Sequence, residues 1–180
     1  MLHIDPSVLK LQDYIVGMRR YFHAHPEVSL KEFKTSERIK AELDAAGIDY
    51  EGGGETGICA RIKGKKPLAA GAKPRIVALR ADMDALKVRE KTDLPFRSEN
   101  GSMHACGHDM HAAMLLGAAR LLKAHQSELK GTVKLVFQPD EEGFTGAKAM
   151  LKAGVLEAPE PQAAMALHVN SGTPSGLVLC

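Results

Sequence analysis

The densest group of chemically active side chains lies in His104–His111, which reads His-Ala-Cys-Gly-His-Asp-Met-His. Three histidines, one cysteine and one aspartate fall within these eight positions, and each could bind a metal ion or carry a proton. A thiolate combined with imidazoles suits a borderline-soft divalent ion such as zinc. Gly107 would let the backbone bend tightly and let another group approach closely. The segment therefore suggests a metal site whose remaining ligands come from elsewhere in the chain.

A helix is predicted directly after this cluster, within Met103–Ala124. Apolar residues recur there on one helical face: Met114, Ala118, Leu121 and Leu122. Cys106 and His108 are therefore expected in the turn that enters the helix, where the positive end of the helix dipole favours a thiolate. A single histidine at such a place is more often a cap or a surface residue, and a buried cysteine is usually a small hydrophobe. Only the cluster as a whole favours function.

Two carboxylates follow a predicted strand. Ile76-Val77-Ala78-Leu79 is a short apolar run, typical of a central strand buried on both faces, and Asp82 and Asp84 come just after it. Side chains two positions apart in an extended segment face the same way. Open α/β sheets bind their ligands at the carboxyl ends of such strands. A solvated turn is the more common explanation for this pair alone.

Two more predicted strands also end in polar groups. Thr132–Phe137 runs into three consecutive acids, Asp140, Glu141 and Glu142, which repel one another unless a cation lies among them. An exposed acidic turn is the common alternative. Ala163–Val169 carries His168 near its end, although a lone histidine in a strand is more often a hydrogen-bonded core residue. The strand ends are expected to converge on one edge of a three-layer α/β domain.

The remaining predicted elements frame these groups. Cys59 is expected to face outward from its strand and to be unrelated to the metal. The other predictions are a helix over Pro6–His25, a helix beginning at the capping box Ser29–Glu32 and ending at Gly47, strands over Ile48–Tyr50 and Ile58–Lys63, a loop over Gly64–Pro74, a helix over Thr145–Ala153 and a strand beginning in Gly176–Cys180.

Composition excludes several classes of function. The 180 residues suffice for one domain, and 44% hydrophobic and 26% charged residues are ordinary for a globular chain. Aromatic residues amount to 4% without tryptophan, which counts against base stacking, and a net charge of +2 with scattered lysines argues against a nucleic-acid partner. Gly52–Gly54 lacks the lysine and glycine spacing of a phosphate-binding loop.

Three widely spaced cysteines are not a disulfide framework and suit a reducing compartment. The amino terminus has no signal-peptide pattern, and no run of about 18 apolar residues exists, so neither secretion nor a membrane partner is expected. The cytoplasm is the predicted location.

Together the polar groups at the strand ends and before the helix are typical of a metallohydrolase. In such a site one thiolate, two imidazoles and carboxylates surround one or two divalent ions, and a neighbouring acid serves as base.

Five motifs, found in a fixed order along the chain, resemble those of a known protein family. They are Phe22–Glu27 (FHAHPE), Arg80–Leu86 (RADMDAL), Met103–His111 (MHACGHDMH), Phe137–Gly143 (FQPDEEG) and Leu167–Val169 (LHV). Together they resemble the amidohydrolase family of hippurate hydrolases, aminoacylases and auxin-conjugate hydrolases, within the zinc carboxypeptidase and aminoacylase group. The resemblance implies a three-layer α/β/α zinc-peptidase-like catalytic domain with a mixed, mostly parallel sheet.

The resemblance also implies individual roles. Cys106, His108, Glu142 and His168 match the family's metal ligands. Glu141 matches the general base, which activates water and then protonates the leaving amine, and Asp84 matches a supporting acid. The implied cofactor is one or two divalent ions, with Zn, Mn, Co and Ni all compatible with these ligands. The implied reaction is hydrolysis of the amide of an N-acyl amino acid or short peptide, and full family members are expected to be homodimers.

Two departures from the family pattern leave alternatives open. Asp140 stands where the family commonly has a small residue, and if buried it would raise the proton affinity of Glu141. The resemblance also places a lid and dimerisation domain, and one more histidine ligand, beyond Cys180. Residues 1–180 are therefore expected to form the amino-terminal part of the catalytic domain. The alternatives are a catalytically inactive metal-binding fragment and a metal-stabilised binding module, although a base at Glu141 weighs against the module.

Overall fold

A computed structural model describes residues 4–179, which fold as helices packed on both faces of one sheet. In chain order the elements are α1 (Pro6–Leu9), α2 (Gln12–Ala24), α3 (Phe33–Ala45), β1 (Asp49–Gly52), β2 (Ile58–Lys63), β3 (Ile76–Asp82), α4 (His108–Ala124), β4 (Thr132–Gln138), α5 (Gly146–Lys152) and β5 (Ala163–Ala166).

The five strands form one mixed sheet in the order β1-β2-β4-β3-β5. β2 pairs antiparallel with β1 and with β4, whereas β3 pairs parallel with β4 and with β5. The parallel strands β3, β4 and β5 thus end at the same edge, as the sequence predicts. The apolar strand β3 lies beside the edge strand β5, and β4 occupies the centre of the sheet.

Helices cover both faces of the sheet, which confirms the three-layer α/β/α class. The larger core lies under α2, α3 and α4, where Phe22, Leu43 and Leu116 pack over β2 and β4. The smaller core lies on the opposite face, where Met150 of α5 packs with Val136 of β4. Burial of both faces explains why the strand sequences are nearly continuous apolar runs.

Cys59 does not face solvent, contrary to the sequence prediction. Its side chain is fully buried in the smaller core, against Val136, Met150 and Val155. Alternation of side chains correctly assigns Cys59 to the face opposite Ile58 and Ala60. It cannot reveal that α5 and the segment after it cover that second face.

The first predicted helix is divided, and the predicted capping box does not form. Helix α1 ends at Leu9 and α2 begins at Gln12. Ser29 donates a 2.7 Å hydrogen bond to Asp84 and makes no cap of α3. Glu27 takes that role, because its carboxylate accepts hydrogen bonds from the backbone N–H (2.8 Å) and hydroxyl (2.9 Å) of Thr35 in the first turn.

The carboxyl-terminal region contains the sheet edge. β5 is exposed on both faces, and the predicted strand over Gly176–Cys180 is absent from residues 176–179, while Cys180 lies outside the described residues.

Within residues 4–179, none of the helices has the length and apolar character needed to cross a membrane.

A buried lysine anchors the segment that closes the smaller core. Lys134 of β4 is fully buried, and its ammonium donates to the carbonyl oxygens of Val155 (2.7 Å) and Glu157 (2.6 Å). Lys134→Met keeps the length of the side chain but removes both hydrogen bonds. We expect the free energy of unfolding to fall by about 1–3 kcal/mol, the usual cost of leaving buried polar groups unpaired.

Urea denaturation followed by circular dichroism measures this loss. Lys148→Met, an exposed lysine on α5, is the matched control and should change stability by no more than about 0.5 kcal/mol. Equal stability of the two variants would show that the buried hydrogen bonds contribute nothing.

Candidate metal centre

Four separate segments bring polar side chains to one edge of the sheet. Asp84 follows β3, the pair Glu141 and Glu142 follows β4, and His168 follows β5. Cys106 and His108 instead lie in the turn that enters a helix, as the sequence predicts. They lie at the amino terminus of α4, after the long connection from β3, and α4 packs on β3 so that its first turn reaches the same edge.

His108 lies at the centre of the cluster and is held in one orientation. Its ring is fully buried, and Nδ1 lies 2.9 Å from the backbone oxygen and 3.2 Å from Oδ1 of Asp84. Both are acceptors, so Nδ1 carries the proton and Nε2 presents its lone pair. Nε2 is buried without a hydrogen-bond partner among residues 4–179. Asp84 therefore holds the His108 ring in this orientation, while its implied role as a supporting acid in catalysis stays a prediction.

Cys106 and His168 complete one side of the cluster. Sγ of Cys106 lies 3.5 Å from Nε2 of His168, while Nδ1 of His168 donates to the Val169 carbonyl oxygen at 2.7 Å. The donor atoms of Cys106, His108 and His168 lie within 4.8 Å of one another. Gly107, at a φ of 90°, makes this possible, because a Cβ there would lie 2.3 Å from a methyl group of Val169. This confirms the expected tight bend and close approach.

Glu141 and Glu142 complete the other side. Their carboxylates lie 3.8 Å and 3.9 Å from Nε2 of His108, and the Glu142 backbone N–H donates to Oδ2 of Asp84 at 3.0 Å. Oε1 of Glu142 is buried without a hydrogen-bond partner in the described chain. The Glu141 side chain is 34% exposed and that of Glu142 is 22% exposed. Glu141 is thus the more accessible of the two.

The protein's own groups set the charges of this cluster. Burial alone would raise the pKa of Asp84, but hydrogen bonds from His108, Ser29 and the Glu142 backbone lower it below its ordinary value. Burial alone would lower the pKa of His108, yet the hydrogen bond to Asp84 and the charge of Asp82 raise it.

The thiol of Cys106 behaves differently from the expectation based on the helix dipole. Burial raises its pKa to about 11, and the nearby carboxylates of Glu142 and Glu141 add to this rise. Without a cation the cysteine is therefore a neutral thiol, because burial and the carboxylates together outweigh the helix terminus. Positive charge between these groups is what would favour the thiolate.

The other polar residues of His104–His111 have different surroundings. His104 is 5% exposed, and burial lowers its pKa to about 4. Asp109 is paired with His23 at 2.7 Å and with Arg19 at 3.0 Å, away from the donor atoms named above. His111 lies between Asp82 and the backbone of Val169. The sequence counts His111 among the possible ligands but gives it no individual role, although a position three residues after His108 places both on one helical face.

Asp140 points away from the cluster. It is 2% exposed and has a positive φ of 48°, and its carboxylate accepts a 3.2 Å hydrogen bond from the Thr145 backbone N–H at the start of α5. Its backbone N–H in turn donates to the buried Glu32 at 2.8 Å. The buried carboxylate is therefore occupied in holding the turn after Glu142. The expected effect on the proton affinity of Glu141 stays a prediction.

The donor set fits a divalent cation. Two buried atoms without partners in the described chain, Nε2 of His108 and Oε1 of Glu142, lie 3.9 Å apart beside a thiol and a second imidazole. Unpaired buried polar atoms are rare in native proteins and call for an unseen partner such as an ion. Sulfur, nitrogen and carboxylate donors together are the ligand types of zinc and its first-row neighbours.

Comparison with known proteins agrees with this geometry. The model of Peptidase family M20/M25/M40 matches residues 78–179. Thermostable carboxypeptidase 1 of Saccharolobus solfataricus is 43% identical over 176 residues, which cover 95% of this chain and 43% of that protein. IAA-amino acid hydrolase ILR1-like 5 of Arabidopsis thaliana is 48% identical over 161 residues, covering 88% of this chain and 35% of that protein.

A solved structure shares the fold. The YXEP protein of Bacillus subtilis, described as a dinuclear metal-binding peptidase of the M20 family, superposes with a TM-score of 0.84 at 40% identity. The superposition covers 93% of this chain and 46% of that one. The chain therefore spans less than half the length of the relatives it matches. The matched motifs, the fold and the convergent donor groups together place this chain in the metallopeptidase and amidohydrolase family M20/M25/M40.

Proposed function

We propose that this chain forms the amino-terminal, metal-binding part of the catalytic domain of an amidohydrolase that cleaves N-acyl amino acids. The observation that carries the proposal is the meeting of two unpaired buried atoms, on His108 and Glu142, with Cys106 and His168 at one sheet edge. The proposed ligands are Cys106, His108, Glu142 and His168. The proposed lid, dimerisation surface and last ligand belong to sequence beyond residue 180.

The proposed reaction assigns each side chain a task. A divalent ion bound by these ligands would supply the positive charge that polarises the substrate carbonyl and acidifies an adjacent water. Glu141, the more accessible carboxylate, takes a proton from the attacking water as its oxygen bonds to the carbonyl carbon. It then delivers that proton to the amide nitrogen as the C–N bond breaks, which gives a carboxylic acid and a free amine. Asp84 holds His108 throughout.

The substrate class rests on chemistry and on relatives. A base beside a charged centre suits hydrolysis of an amide, and the plant relative is named for hydrolysing an IAA-amino acid conjugate. One or two ions of Zn, Mn, Co or Ni are proposed, since these ligand types accept all four. We place the reaction in the cytoplasm, because Cys59 and Cys106 are free and a reducing compartment keeps the Cys106 thiol available.

Metal binding is the direct test of this site. We expect residues 1–180 purified without chelator to contain divalent metal, and Cys106→Ala and His108→Ala each to lose most of it, because each removes one donor from the shared cluster. Elemental analysis and competitive titration with a coloured chelator measure content and affinity.

Two matched variants control for the loss of a cysteine or a histidine as such. Cys59→Ala removes a buried cysteine of the smaller core, and His125→Ala removes an exposed histidine at the end of α4. Both should keep the parent's metal content. Parent-like content in Cys106→Ala and His108→Ala would refute the ligand assignment.

A further inference from the structure

His111 connects the end of β3 to the segment that carries His168. Its buried ring has Nδ1 2.6 Å from Oδ1 of Asp82, and its Nε2 accepts a 3.0 Å hydrogen bond from the backbone N–H of Val169. Val169 follows His168 directly, so this bond fixes the peptide group next to that residue. The His111 and His168 rings are also in edge contact, with centroids 4.6 Å apart.

These contacts determine the tautomer of His111. An N–H donor at Val169 requires a lone pair on Nε2, so the proton must reside on Nδ1, where Asp82 accepts it. The other oxygen of Asp82 is paired with Arg80 at 2.7 Å, and Arg80 also donates to Gln138 of β4 at 2.9 Å. His111 therefore uses both nitrogens within the protein and has no lone pair free for a metal.

The need for such a connection follows from where His168 lies. β5 is an exposed edge strand that pairs only with β3 among the described strands, and it ends two residues before His168. His168 itself is exposed, and within residues 4–179 its Nδ1 bonds only the neighbouring Val169 carbonyl oxygen. The bond from Val169 to His111 joins this segment to the rigid helix α4, where Cys106 and His108 lie.

We propose that His111 is a positioning residue, which holds His168 over Cys106 through the Asp82–His111–Val169 chain of hydrogen bonds. The inference rests on the proposed function in assigning His168 as a ligand. It adds that the affinity of the site depends on a histidine that does not bind the ion. Loss of a hydrogen-bonding partner that orients a ligand typically lowers metal affinity about 10–100-fold.

The test compares two substitutions of His111 in the 180-residue chain. The side chain of His111→Gln reaches as far as Nε2 and can still accept from Val169, whereas that of His111→Asn is one bond shorter and cannot. We expect His111→Asn to weaken Co²⁺ affinity about 10–100-fold and His111→Gln to restore most of it. In the metal-free chain, hydrogen exchange of the Val169 amide should accelerate in His111→Asn and not in His111→Gln.

A matched control separates positioning from general destabilisation. His23 is equally buried and is hydrogen-bonded to Asp109 of α4, but it does not contact Val169, so His23→Asn should leave cobalt affinity and Val169 exchange unchanged. Parent-like cobalt affinity in His111→Asn, or an equal loss in all three variants, overturns the proposal. If the parent binds no cobalt, the proposed function fails, and Val169 exchange alone then decides whether His111 holds this segment.

Discussion

Residues 1–180 produced alone are expected to hydrolyse hippurate and N-acetyl amino acids at least about 1,000-fold more slowly than a full-length relative. Catalysis needs a fixed metal, a base and donors directed at the oxyanion. The described cluster offers a candidate base and four candidate ligands. The family resemblance places one more histidine ligand and the lid beyond residue 180. A missing ligand or partner costs about 10–100-fold, and each oxyanion donor contributes about 10²–10³ in rate.

The assay is amide hydrolysis with added manganese, zinc or cobalt, run beside a full-length relative. Circular dichroism and cobalt binding, measured on the same preparation, establish that the chain is folded and binds metal. A rate within tenfold of the relative would show that these residues suffice for catalysis and that the proposed domain boundary is wrong. A folded, cobalt-binding and inactive chain is the result that we expect.

The parts of this fold that sequence predicts well are those decided by local pattern. Thr132–Phe137 becomes β4 and the helix after the cluster becomes α4, because a run of apolar residues or a helical repeat has few other ways to be buried. Convergence of the strand-end groups follows from the common direction of β3, β4 and β5. The approximate place of the site was therefore predictable.

The parts that sequence missed depend on tertiary partners. Ser29 fits a capping box, but in the fold its hydroxyl meets Asp84, and Glu27 caps the helix instead. The side-chain alternation of β2 places Cys59 correctly on the second face, but only the packing of α5 shows that this face is buried. The proposed role of His111 requires β5 to lie beside β3. The sequences of the two strands do not reveal that they are neighbours in the sheet.

Local charge reasoning failed at Cys106 for a similar reason. A helix terminus contributes only about half an elementary charge, whereas the fold brings two whole carboxylates, Glu141 and Glu142, beside the thiol. Those acids are distant in sequence from Cys106. Burial, with these two carboxylates adding to its effect, raises the thiol pKa to about 11, and the concentration of acids makes the cluster a strong candidate for a cation.

Replacing Glu141 and Glu142 one at a time by glutamine should show that the two adjacent acids have different roles. The geometry favours Glu142 as ligand, because its Oε1 is buried and unpaired in the described chain while Glu141 is more exposed. The experiment needs a catalytically complete chain, made by joining residues 1–180 to the remaining part of the 43% identical carboxypeptidase. Metal content and turnover are then measured on the same samples.

Glu141→Gln should keep the parent's metal content and lose about 10²–10⁴ in kcat, the usual contribution of a general base. Glu142→Gln should lose metal first, and its turnover should recover in part when excess manganese or cobalt is added, because the base is still present. Asp140→Asn serves as the neighbouring control, since its carboxylate faces Thr145 and not the donor cluster. Metal loss in Glu141→Gln with retention in Glu142→Gln would reverse the two assignments and place the base at the more buried position.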